Sequence, residues 1–374
     1  MPTIDSNDWT DIAATRTDAD SPVDETLMND IRENINFLKL WLGKDYLSTA
    51  VANHNHDGSN SAPVPGASGG KNIAVVNHLG FGTAQGNHQP LRCFFKPEYM
   101  FLLVNADSNV AANDSVVRSL SMANGAGLIS TAYTTGLGVS QFHFGGFNIS
   151  AVDAVGNGAD SDNVSLLLQG DGTFTKTGSY TGNGATQTIT CGFQPEFVIV
   201  NRVDTGVMAV KSFSFSATGS KVYKAAEMGV HKTDLITGFT STGFTLGANA
   251  DGNQNTIAFN FLAIKPATVS GETVARKTWT GNASNPRVFT DVGFCPQFVI
   301  VLDTTTTTSA LIGVVASSPH SFINGSHSLG TATRSTVNVT DYSNTGFTVN
   351  SGLNASGVVY DAFCFSGGTR YSAI

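Results

Sequence analysis

One motif returns three times in this chain at intervals of about 100 residues, and no other feature limits the fold so sharply. Gly192-Phe193-Gln194-Pro195-Glu196-Phe197-Val198-Ile199-Val200 recurs as Gly293-Phe294-Cys295-Pro296-Gln297-Phe298-Val299-Ile300-Val301, and more loosely as Phe94-Phe95-Lys96-Pro97-Glu98-Tyr99-Met100-Phe101-Leu102. A second landmark keeps step: Gly146-Phe147-Asn148-Ile149, Gly243-Phe244-Thr245-Leu246 and Gly346-Phe347-Thr348-Val349. Two landmarks with one period define three modules. In each, the short apolar run after the proline reads as a strand buried on both faces. The Gly-Phe strand is followed by a polar turn (156–163, 250–255, 353–357) and a returning strand such as Ala258-Phe259-Asn260-Phe261-Leu262 or Ala362-Phe363-Cys364-Phe365. Turn signals between short apolar runs, with no helical period after residue 70, predict an antiparallel β-sandwich of about 100 residues, three times in tandem. The modules are placed at 74–170, 171–266 and 267–374.

Composition agrees. A chain of 374 residues can hold two to four cores, and its charged fraction of 13%, against roughly 25% in ordinary soluble proteins, suits short strands and many turns. A net charge of −8 without a long basic run argues against a nucleic-acid partner. The first thirty residues carry no apolar signal-type segment, and no run of eighteen apolar residues follows. The expectation is synthesis in the cytoplasm with no signal peptide and no membrane insertion. The four cysteines stand far apart with no CxxC pair and read as reduced, mostly buried thiols.

Before the modules, Ser21-Pro22-Val23-Asp24 is a helix start and Gly43 a stop, giving a helix over about 22–42. Met28, Ile31, Ile35, Leu38 and Leu42 are spaced 3, 4, 3, 4, an a/d seam two heptads long. One reading is an amphipathic helix packed on its own domain. The other is a coil between chains, which isoleucine at both a and d tilts toward three strands. In the segment 51–73, His54 and His56 flank Asn55, so in an extended chain both imidazoles point to one side. Two nitrogens from one chain make a weak metal site, and a solvated loop is the plainer alternative.

Three patterns that suggest a catalytic or calcium site have a plainer reading. Gly66-Ala67-Ser68-Gly69-Gly70 matches a nucleophile elbow but sits in a Pro/Gly-rich linker. Glu98 and Glu196 occupy one repeated position, replaced by Gln297 in the third copy, so they belong to separate modules rather than to a glycosidase pair. Asp160, Asp162 and Asn163 form an acid cluster without the Glu that completes a calcium loop, and read as a turn. The chain is expected not to be an enzyme.

The order Gly-Phe-x-Pro-x-Phe-Val-Ile-Val, Gly-Phe-Thr, Asn-rich turn and final aromatic strand resembles a β-sandwich module of tailed-phage structural proteins. Family members often continue the first strand with Trp-Ile-Lys, where this chain has Val200-Asn201-Arg202 and Val301-Leu302-Asp303. Asp24-Glu25-Thr26-Leu27-Met28 and His54-Asn55-His56-Asp57-Gly58-Ser59-Asn60-Ser61 resemble the starts of phage tail fibres. The resemblance implies a homotrimeric tail fibre or receptor-binding protein of the virion, attached to tail or adaptor proteins by residues 1–50. Three His-x-His strands on its axis would supply six nitrogens to one iron, nickel or zinc ion. The modules are expected to project outward in series, the third farthest from the particle and in contact with a host surface glycan or protein. Thr304, Thr306, Thr308, His320, His327 and Tyr342 are the candidate contacts, since hydroxyls, imidazoles and an aromatic face suit a glycan. Alternatives are a head or tail decoration protein without receptor binding and, third, a glycan-cleaving spike.

Overall fold

The computed structural model describes residues 72–79, 89–93, 95–105, 116–120, 127–129, 132–134, 139–143, 146–149, 162–216, 218–224, 227–269, 271–305, 311–315, 326–329, 334–335, 339–366 and 369–373. The expected helix with Met28, Ile31, Ile35, Leu38 and Leu42 lies outside these residues, as do His54 and His56. The chain divides into two compact units, Met1–Gly69 and Gly70–Ile374, and every described residue belongs to the second.

This unit is mostly β. The first repeat contributes β1 (Ile73–Leu79), β2 (Gln89–Arg92), β3 (Tyr99–Asn105), β4 (Val116–Ser119), β5 (Gly127–Ile129), β6 (Ala132–Thr134), β7 (Val139–His143), β8 (Gly146–Ile149) and β9 (Asp162–Leu168). The second contributes β10 (Thr175–Thr181), β11 (Gln187–Thr190), β12 (Phe197–Arg202), β13 (Met208–Ser212), β14 (Ser220–Lys224), β15 (Glu227–Lys232), β16 (Ile236–Thr240), β17 (Gly243–Leu246) and β18 (Ala258–Ile264). The third contributes β19 (Ala267–Val269), β20 (Glu272–Thr280), β21 (Arg287–Phe289), β22 (Phe298–Asp303), β23 (Leu311–Val315), β24 (Ser326–Leu329), β25 (Arg334–Ser335), β26 (Val339–Ser343), β27 (Gly346–Val349), β28 (Val359–Ser366) and β29 (Thr369–Ala373). A single-turn helix, α1 (Ala250–Asn253), stands in the turn before β18, where only a polar turn is expected; Asn249 caps it by accepting from the Asp251 amide.

Strand order repeats. The large sheets run β1-β9-β3-β4-β5-β6, β10-β18-β12-β13-β14-β15 and β20-β28-β22-β23-β24-β25, and the small ones β2-β8-β7, β11-β17-β16 and β21-β27-β26. Register makes positions equivalent. Tyr99, Phe197 and Phe298 face Leu168, Ile264 and Phe365, which on their other side face Ile73, Thr175 and Val274. Even the irregularity is shared, because the last hairpin of each small sheet shifts register between Val139 and Gln141, Ile236 and Gly238, or Val339 and Asp341.

The Gly-Phe landmark has a packing cause. A Cβ at Gly243 would lie 1.9 Å from the Ile189 carbonyl oxygen, and one at Gly346 would lie 2.0 Å from that of Phe289, so glycine lets β17 and β27 close on their neighbours. The phenylalanines that follow, Phe147, Phe244 and Phe347, are buried. Glycine before the second and third prolines answers a different demand: Gly192 and Gly293 have φ of 90° and 89°.

Alternation along the large sheets fills two kinds of core. On one face Val198, Val200, Phe259 and Phe261 meet Ile189, Phe244 and Leu246 of the second small sheet. In the third repeat Val299, Val301 and Cys364 likewise meet Phe289, Phe347 and Val349. On the other face, Tyr99 and Phe101, Phe197 and Ile199, and Phe298 and Ile300 join one cluster common to all three repeats. That explains the continuous apolar runs: each central strand is covered twice, once by its small sheet and once by the other repeats. β29 then returns to pair with β1, Ala74 facing Thr369 and His78 facing Ala373, in the one parallel ladder among the described strands. A series of repeats projecting outward therefore does not describe this unit. Each large sheet has a second apolar face, and leaving it in water is costly. No helix among the described residues is long and apolar enough to cross a membrane.

Candidate functional site

Where one repeat meets the next, equivalent positions carry different chemistry. Between the second and third repeats, Arg276 of β20 places Nη1 2.7 Å from Glu196 Oε2 and Nε 3.2 Å from Asp361 Oδ1, and its Nη2 donates to Ser214 Oγ at 3.1 Å. Asp361, fully buried, also accepts from Ser212 Oγ (2.7 Å), Ser214 Oγ (2.7 Å), the Ser214 amide (3.0 Å) and Thr278 Oγ1 (2.6 Å). Burial works to raise its pKa, but donors from Ser212, Thr278 and Ser214, with the nearby guanidinium, outweigh it and hold the carboxyl below its usual range. The Arg276 guanidinium also lies over the Phe213 ring at 4.9 Å.

Between the first and second repeats the same positions form a cleft of about 220 Å³. Register places Thr177 where the third repeat has Arg276, and Gly178 where it has Lys277. Glu98 stands where the second repeat has Glu196; its Oε2 accepts from the Gly170 amide at 3.0 Å and from the Thr177 hydroxyl. Asn260 takes the place of Asp361, and its Nδ2 donates to Ser119 Oγ at 2.7 Å. Asn260 is 2% exposed, and its Oδ1 has no hydrogen-bond partner among the described residues. Glu98, Ser119, Leu120, Thr177, Gly178 and Asn260 all line the cleft, and among the described residues Glu98 is its one charged side chain. Deeper in, the Tyr99 hydroxyl donates to Asn201 Oδ1, where the next junction has Phe197 and Leu302. The junction of the third repeat with the first is tied by buried Glu272, which accepts from the amides of Asn72 (2.9 Å) and Ile73 (2.7 Å).

No family model matches this chain, and no curated protein matches it.

The residues singled out from the sequence are distributed as follows. Glu98 and Glu196 do lie in separate junctions, each with its own partners. Thr304 is 6% exposed and gives its hydroxyl to the Val359 carbonyl at 3.0 Å, so it joins the end of β22 to β28 and offers no surface to a receptor. His327 lies in β24 opposite Gly313 and Arg334, and Tyr342 in β26 opposite Phe347. Thr306, Thr308, His320 and Asp160 lie outside the described residues, while Asp162 and Asn163 open β9 rather than forming a turn. The cysteines are free thiols. Burial pushes Cys93 up to about 12 against a weaker effect of its bond to the Phe95 carbonyl, and raises Cys191 and Cys364 as well. Burial keeps these thiols protonated and sets them in the packing of the sheets. No group of three His, Cys, Asp or Glu suited to a metal occurs among the described residues.

Sequence reasoning missed Thr177, Asn260, Leu120 and Phe213. Leu120 and Phe213 are 40% and 50% exposed, and their amides bond the carbonyls of Glu98 and Glu196 at 2.8 and 2.9 Å. The available signal was the contrast between copies: Thr177-Gly178-Ser179 against Arg276-Lys277-Thr278. A large cation at 276 and a small residue at the equivalent 177 set the filled junction apart from the open one.

Proposed function

We propose that this chain is a non-enzymatic structural protein of a tailed-phage virion, a homotrimeric tail fibre or receptor-binding protein. In this reading residues 1–50 attach to tail or adaptor proteins, through a helix whose seam is Met28, Ile31, Ile35, Leu38 and Leu42. Residues 74–374 are three tandem β-sandwich modules gathered about one core as a compact head. The observation that carries the reading is the recurrence of one strand order in three repeats that share a core, together with the likeness of the amino-terminal motifs to fibre starts. The head would meet the host with loops of any of its repeats rather than of the third alone, because β29 ties the last repeat to the first. His327 and Tyr342 remain contact candidates, along with Thr306, Thr308 and His320. Metal binding at His54 and His56, with two imidazoles from each of three chains around iron, nickel or zinc, belongs to the same proposal.

The test is to incubate purified 70–374 with susceptible bacteria and with intact particles. Retention on cells, with blocked adsorption of the phage, is the expected result. Binding to particles alone would replace this reading with that of a decoration protein, and loss of polysaccharide mass would replace it with a spike. Elemental analysis of the full-length protein should find one transition-metal ion per three chains, lost in His54→Ala/His56→Ala.

A further inference from the structure

We propose that the cleft between the first and second repeats binds an alkylguanidinium group, that is, an arginine side chain or a small guanidino compound. The protein supplies its own template. At the next junction the equivalent walls hold a guanidinium, that of Arg276, between Glu196, Asp361 and an apolar cover, Phe213. The first junction keeps those walls as Glu98, Asn260 and Leu120, while Thr177 replaces the arginine. What remains is a carboxylate, a buried amide oxygen lacking a donor and an exposed apolar edge around about 220 Å³. A planar cation with several N–H donors satisfies all three features, giving a charge-assisted bond to Glu98 and a donor to Asn260 Oδ1. An anion meets the wrong charge. An ammonium on a lysine stem supplies the charge but lacks the planar fork.

The experiment uses the full-length chain and ligand-observed NMR with four probes: N-acetyl-arginine amide, Gly-Arg-Gly, methylguanidinium and the uncharged isostere N-acetyl-citrulline amide. Saturable binding of the guanidinium probes in roughly the millimolar range is expected, with citrulline amide failing to compete. Glu98→Gln, which keeps an oxygen for the Gly170 amide and for Thr177, should weaken binding by about tenfold or more. Thr177→Arg should abolish it by placing a guanidinium in the cleft from within, while melting no lower than the parent. Tighter binding of Gly-Arg-Gly than of methylguanidinium assigns the site to an arginine of a partner protein, and the reverse order to a small molecule. No saturation at about 50 mM would overturn the proposal. So would equal binding by citrulline amide, or undiminished binding by Glu98→Gln.

Discussion

At Gly243 a single missing carbon decides whether two strands can touch. Since an added Cβ would fall 1.9 Å from a backbone oxygen that cannot rotate away, Gly243→Ala should lower stability by about 2 kcal/mol or more, read as a fall in urea midpoint. Gly172→Ala is the control: nothing lies within 4 Å of its Cβ and only its φ of 76° opposes the change, so a smaller loss is expected. Lys211 poses an electrostatic problem instead. It is 3% exposed, its Nζ donates to the carbonyls of Ser216 and Gly219, and burial lowers its pKa from 10.5 to about 8. Below pH 8 both folded and unfolded chains carry the proton, and the full cost of the buried charge is present. Between about 8 and 10.5 the unfolded chain holds more protons, so stability contributed at this position rises with pH. The melting temperature of the parent relative to Lys211→Met should therefore improve from about pH 7 to about pH 10.5. Measuring the difference between the two proteins cancels the thiol ionisations, which act in the opposite direction. A parent melting temperature that stays level or falls relative to that of Lys211→Met over this range would show that Lys211 is not held in this environment.

Between elements, the junctions rather than the strands carry the individuality of the chain. β20 and β28 meet the second repeat through Arg276 and Asp361, and five hydrogen bonds converge on that one carboxylate. Because its folded pKa lies below the ordinary 3.8, its contribution is present above that value and is lost as the pH falls through the folded pKa. Acid titration followed by circular dichroism should show the parent losing more stability than Asp361→Asn as the pH drops below about 4, while the variant is the less stable of the two at neutral pH. Much of this level was legible beforehand. The Gly-Phe landmark falls on strands whose bounds match the quoted residues, as at Gly146–Ile149 and Gly346–Val349, and the proline landmark leads into β12 and β22, which start at Phe197 and Phe298, because local steric demands leave local marks. The placement of Glu98 and Glu196 in separate repeats was likewise legible. Their partners were not legible, since Thr177 and Arg276 lie 79 and 80 residues further on and no short-range pattern couples them. Thr304 misled for a related reason: a hydroxyl in a polar run looks exposed until Val359 arrives from across the sheet.

For the whole molecule, one shared cluster means one folding unit. Heating the fragment 70–374 should give a single calorimetric transition, and Phe363→Ala, which removes a fully buried ring from the common cluster, should shift all of it by about 3–5 kcal/mol. Three separable transitions would show the repeats to be independent. Truncation after residue 366 tests the closing strand: without β29, β1 becomes an open edge, and self-association detectable by light scattering is expected. The covalent continuity of the three repeats has a consequence for their history. Three separate copies of one chain around an axis must change all their contacts together, since each substitution appears three times. Here each junction is encoded once, so a harmful substitution spoils one contact and a useful one needs to succeed in one place only. Arginine at 276, threonine at 177 and valine at 75 are three independent answers at a position that symmetry would have forced to be the same.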